Sequence, residues 1–170
     1  MAKFIKIRTQ VLLQAGTAGT TVTNKLTVVN SAGLSVGDII HNTTDNTFAT
    51  ITLIDSGTLV TLSGDIMASG ETYSAYSATQ YVDKPLLAEG VALVKRSASS
   101  YQTFINYSAN STGTDIITIL HQPVASKYET TVEDAIDTAI LEVHSNGQRP
   151  DVARLVSLPI GIKALAVTIA

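Results

Sequence analysis

Hydrophobic and polar positions alternate in short runs through the first half of the chain. Between Phe48 and Ile54, the set Phe48, Thr50 and Thr52 opposes the set Ala49, Ile51 and Leu53. This period-two pattern predicts a strand with two unlike faces. Asp55-Ser56-Gly57 predicts a tight hairpin turn, after which Leu59–Ser63 pairs back. Further strands are predicted at Lys3–Leu13, Lys25–Val29, Ile39–His41 and Thr72–Tyr76. Small-residue or turn-rich segments separate them: Gln14–Thr21, Asn30–Gly33, Asn42–Asn46 and Ser69-Gly70. Strands this short, with turns every 8–12 residues or so, predict a sandwich or small barrel.

The second half changes period. Strands are predicted at Val91–Val94, Tyr101–Tyr107 and Asp115–His121, with a turn over Asn106–Thr114. Then Val132, Ala135, Ile136, Ala139, Ile140 and Val143 recur at helical spacing, predicting one amphipathic helix over Val132–Ser145. Thr130 and Glu133 suit a capping box at its start. Gly147 suits a left-handed stop, and Pro150 follows. Arg154–Leu158 and Lys163–Ile169 read as closing strands, broken by Pro159 and Gly161. Ser77–Gly90, with Asp83-Lys84-Pro85, loses the alternation. The expected organisation is therefore a β-module over 1–80, a linker or extended arm over 81–90, and a β-rich module with one helix over 91–170. The expected fold class is α+β, mostly β.

Composition narrows the function. At 170 residues and 45% apolar, the chain buries a core without crosslinks. Only 15% of residues are charged, against about a quarter in an average domain. So weakly charged a surface suits packing into an assembly better than keeping monomers apart. A net charge of −3 with scattered Lys and Arg argues against nucleic-acid binding. There is no cysteine, so disulfides, thiolate nucleophiles and Cys-based zinc sites drop out. The sequence shows no signal-peptide apolar region and no apolar run long enough to span a membrane. Synthesis in a reducing cytoplasm and no membrane partner are the expectations.

Candidate chemistry is thin. His41, His121 and His144 are far apart and show no metal-binding spacing. Glu133, Asp134 and Asp137 can be read as a carboxylate cluster, but first-turn acids are also favoured by the helix dipole. Asp38, Asp55 and Asp65 read as turn aspartates hydrogen-bonding nearby backbone. No nucleophile elbow, phosphate-binding loop or dinucleotide fingerprint is present. Sequons at Asn42, Asn106 and Asn110 read as by-products of a Thr/Ser/Asn-rich composition. Neither a catalytic residue nor a cofactor or metal is expected. Tyr73, Tyr76 and Tyr81 cluster, which fits a partner interface or a glycan platform.

The run from Gly37 to Tyr73 resembles a module that recurs in virion proteins of tailed bacteriophages. The resemblance rests on Gly37–Ile39, Asn42–Asp45, Ala49–Thr52, Asp55–Ser56, Leu59–Ser63 and Ser69–Tyr73, about a quarter of the chain. The second half is similar to small β-plus-one-helix proteins of marine and cyanobacterial phages, through Glu133–Ile136 before a terminal strand. The resemblance implies a non-enzymatic structural role in the virion, in repeated copies, and carries no catalytic residue. The expectation is a capsid decoration or cement protein of a tailed phage, a homo-oligomer contacting the major capsid protein. Two alternatives are a tail tube, adaptor or fibre component and a glycan-binding module for host attachment. Candidate interface residues are Phe4, Ile5, Ile7, Tyr73, Tyr76, Tyr81, Leu165, Val167 and Ile169.

Overall fold

The computed structural model describes residues 2–19, 22–97, 101–107, 116–123, 131–145 and 153–169. Among them the chain is mostly β with one helix, an α+β fold. The strands are β1 (Phe4–Thr17), β2 (Lys25–Thr27), β3 (Ile39–Asn42), β4 (Thr47–Ser56), β5 (Leu59–Leu62) and β6 (Thr72–Leu87). They continue with β7 (Leu93–Arg96), β8 (Gln102–Asn106), β9 (Ile116–His121), β10 (Arg154–Leu155) and β11 (Ala164–Ile169). The helix α1 spans Val132–Ser145. Two compact units result: a hairpin unit, Gln10–Tyr81, and a helix unit, Met1–Thr9 with Val82–Ala170.

The hairpin unit is an antiparallel ladder in which β2 pairs β5, β5 pairs β4, β4 pairs β3 and β3 pairs β6. Its core gathers Leu26, Val28, Ile40, Ile51, Val60, Leu62 and Tyr73. The alternation in β4 holds only to its middle. Ala49 and Ile51 share a buried face, but Leu53, next on that face by the alternation, is exposed and Ile54 packs on the core instead. The cause is a shift in the β4–β5 register between Ile51 and Leu53, a bulge that reverses which residues face inward.

The helix unit orders β1, β11, β9, β8 and β7. Its β1–β11 and β1–β10 pairs are parallel and the others antiparallel. Its core joins Ile5 and Ile7 to Leu86, Ile105, Ile117, Ile119 and the Val132, Ala135, Ile136 and Ala139 face of α1. The first residues of the chain belong to this unit because Ile5 and Ile7 are fully buried in that core. Lys6 and Arg8 also flank Asp83, at 3.3 and 3.1 Å.

One segment expected as a loop and one expected as a linker or extended arm are strand. Gln14–Thr17 continues β1, and β6 runs through 81–87. Small and polar residues gave no alternation there, but backbone pairing needs none. Where β1 ends, Ala18 N–H donates to the Glu71 carbonyl at 2.7 Å, and Gly70 N–H donates to the Ala18 carbonyl at 2.9 Å. The helix bounds match expectation, but the cap sits one residue later. Asp134 N–H donates to Thr131 Oγ1 (3.1 Å), and the Thr131 N–H and hydroxyl both donate to the Asp134 carboxylate (2.9 and 2.8 Å). A carboxylate one methylene shorter than Glu thus closes the box. Thr130, Gly147 and Pro150 lie outside the described residues, as does most of the turn expected over Asn106–Thr114.

Candidate functional site

The nine predicted interface residues separate into two groups. Ile5, Ile7, Tyr73, Tyr76 and Leu165 are buried, and Val167 is half-buried against the helix-unit core. Phe4, Tyr81 and Ile169 stand at the surface, with Ile169 73% exposed. Strand alternation explains part of this: in β1, Phe4 faces out while Ile5 and Ile7 face in. Pattern alone could not decide which face of each strand the core would take. Leu53 and Leu93 are further exposed strand residues, at 54% and 51%, and neither was anticipated.

The tyrosines do not form a surface platform. Tyr73 lies in the hairpin-unit core, and its hydroxyl accepts the Val29 N–H at 3.1 Å. Tyr76 is buried, which pushes its phenol pKa up.

The histidines play three separate parts. His41, in β3, stacks on Phe48 with ring centroids 4.5 Å apart, and its Nε2 lies 2.8 Å from Asn46 Oδ1. Burial pushes its pKa below the usual imidazole range, against a smaller upward pull from Asn46. His121, at the end of β9, is also buried and likewise lowered by desolvation. His144 turns back on its own helix, with Nδ1 2.8 Å from the Ile140 carbonyl.

The turn aspartates hold loops. Asp38 is only 3% exposed, and its carboxylate accepts the N–H groups of Ser35 (2.7 Å) and Ala78 (2.8 Å), tying the turn before β3 to β6. Asp55 accepts Lys25 Nζ at 2.6 Å and the Thr61 hydroxyl at 2.7 Å, a link across β4, β2 and β5. These two partners hold its carboxyl below the usual range. Asn42 is fully buried, with its amide donating to the Ile66 carbonyl and to Glu71. Asn106 is buried as well, so neither sequon presents a free amide. Asn110 lies outside the described residues.

One open depression of about 330 Å³ lies in the hairpin unit, lined by Asp45, Thr47, Asp65, Ile66, Met67, Ala68 and Glu71. Its acids come from two loops, Asp45 from the β3–β4 connection and Asp65 and Glu71 from the β5–β6 connection. Each already serves the backbone or a neighbour. Asp65 accepts the Asn24 N–H at 3.2 Å, and Glu71 accepts the Ala68 N–H at 2.6 Å. The latter bond holds Glu71 below the usual carboxylate range, while hydrogen bonding to Glu71 holds Asp45 above it. Among the described residues, no group of three or more His, Cys, Asp or Glu is placed to hold a metal ion. No described helix is long and apolar enough to cross a membrane.

The chain matches no protein-family model, no curated protein and no solved structure.

Proposed function

We propose that the chain is a non-enzymatic structural protein of a virus particle, a capsid decoration or cement protein of a tailed phage. It acts as a homo-oligomer seated on the major capsid protein. The observation that carries this reading is that the strands leave large apolar side chains in water, among them Phe4, Leu53, Tyr81, Leu93 and Ile169. Burying each in a subunit contact is favourable by roughly 25 cal/mol per Å² of apolar surface, and symmetry multiplies such contacts. The low charge content supports the same reading, since few ions have to be stripped of water on assembly.

A position in the tail, as tube, adaptor or fibre component, rests on the same surface. The glycan-binding alternative loses support from the buried Tyr73 and Tyr76, which leave no three-tyrosine platform for a sugar. Immunogold electron microscopy tests the proposal, using antibody against the chain and particles assembled from the genome that encodes it. Label over the head is the expected result. Label on the tail selects the tail reading, and unlabelled particles overturn both.

A further inference from the structure

We propose that His41 is an acid-released catch on the loop between β3 and β4: its neutral ring fastens Asn46, and a protonated ring leaves its stack on Phe48 and frees that end of the loop. The ring is 6% exposed and lies almost parallel to Phe48, with centroids 4.5 Å apart and planes 9° apart. Nε2 lies 2.8 Å from Asn46 Oδ1, which can only accept, so Nε2 carries the hydrogen. Nδ1 is then a bare lone pair, buried and with no partner among the described residues.

The proton taken up in acid goes to Nδ1, where it creates a charged donor with no acceptor beside it. The strand register sets Phe48 of β4 on one side of His41 and Ser74 of β6 on the other. Of the titratable groups on these elements, Tyr76 shares the face of Ser74, and its phenol stays neutral in acid. Asp55 of β4 is engaged by Lys25, and Asp45, next to Asn46, is engaged by Glu71. The Phe48 face favours a cation, and so does Asn46 through Nε2. Neither gives Nδ1 an acceptor, so the charged ring must turn toward water to find one.

Turning out breaks the bond to Asn46, which sits in the left-handed region at φ 58°. The start of the loop keeps fastenings of its own. Asn42 Oδ1 accepts the Thr44 and Asp45 N–H groups, and the Thr43 N–H donates to the Thr72 carbonyl. Acid therefore frees the far end of the loop and leaves the ladder paired. Asp45 and Thr47, on either side of Asn46, line the open depression, so its wall changes shape when the catch opens.

The test is an NMR titration of the full chain from about pH 7.5 to about pH 4.5, the range in which histidine charge changes. It follows the His41 ring shifts, the nuclear Overhauser contacts between the His41 and Phe48 rings, and exchange protection of the Ile51 amide, which donates to the Asp38 carbonyl. In the wild type the ring contacts are expected to vanish with the ring's own midpoint, below the ordinary 6.5, while Ile51 stays protected. Asn46→Gly suits the positive φ and removes only the tether. It weakens the closed state, so the ring midpoint is expected to rise toward 6.5. If the ring instead took its proton in place, losing Asn46 would remove a group that favours the cation, and the midpoint would fall. A falling midpoint in Asn46→Gly overturns the catch. So do ring contacts that persist below the midpoint, or an Ile51 amide that loses protection together with them.

Discussion

Gly16 and Tyr73 compete for one space: a Cβ on Gly16 would stand 3.1 Å from the Tyr73 hydroxyl and 3.3 Å from its Cε1. It would also stand 2.9 Å from Val29 Cγ2, and the Val29 N–H is the donor to that same hydroxyl. A glycine in β1 thus lets a large aromatic side chain from β6 lie across the strand. Gly16→Ala should destabilise the hairpin unit by about 1–3 kcal/mol, the usual cost of overpacking. Tyr73→Phe removes the nearer of the two Tyr73 contacts, so the double variant should lose less than the sum of the singles. Urea unfolding of the four proteins measures the coupling.

Asp38 gives a second prediction. Asp38→Ala leaves the N–H groups of Ser35 and Ala78 without their acceptor beneath a buried side chain. The expected loss is about 1–3 kcal/mol. Asp38→Asn keeps one side-chain oxygen and should fall between the two. Thermal unfolding followed by circular dichroism ranks the three.

At the helix, Thr131→Ala should cost about 0.5–2 kcal/mol by removing the cap. Ile136→Ala, at a fully buried position in the helix-unit core, should cost about 2–5 kcal/mol. Denaturant melts that place Thr131→Ala at or beyond the cost of Ile136→Ala would contradict this order.

The two buried histidines set the acid side of the stability profile. Each has a folded-state pKa below the ordinary 6.5, so the unfolded chain binds more protons between those two values. Stability is therefore full above about pH 6.5 and falls as pH drops toward and through the lowered folded values. Asp55, Asp83 and Asp134 are depressed instead, so their contribution is lost at lower pH, below the usual 3.8. Unfolding midpoints measured between neutral and weakly acid pH should show the first slope. His41→Gln and His121→Gln should each reduce it.

How much of this was legible in the sequence depends on the kind of signal. Helix α1 was readable to its ends because six apolar positions share one face, and no sheet register is needed to place it. β4 was readable only to Ile51. The bulge after it is set by pairing with β5, so Leu53 and Ile54 exchange faces with no mark in the local pattern. The continuation of β1 through Gln14–Thr17 was hidden for the same reason, since Ala15 and Gly16 show no alternation. Tyr73 looked like an interface residue because tyrosine suits both core and surface. Only Gly16, 57 positions away, makes room for it in the core. The depression holding Asp45, Asp65 and Glu71 was unreadable because the β3–β4 loop carrying Asp45 meets the β5–β6 loop carrying the other two acids only in the fold.

Assembly is the central claim, and absolute mass tests it most directly. Light scattering coupled to size exclusion, over a wide concentration range, should give a discrete closed oligomer for the wild-type chain. Charge placed at the most exposed large apolar residue of the described strands, as Ile169→Lys, should shift that oligomer toward monomer while leaving the folded spectrum intact. A wild-type chain that stays monomeric at every concentration would contradict self-assembly through these surfaces.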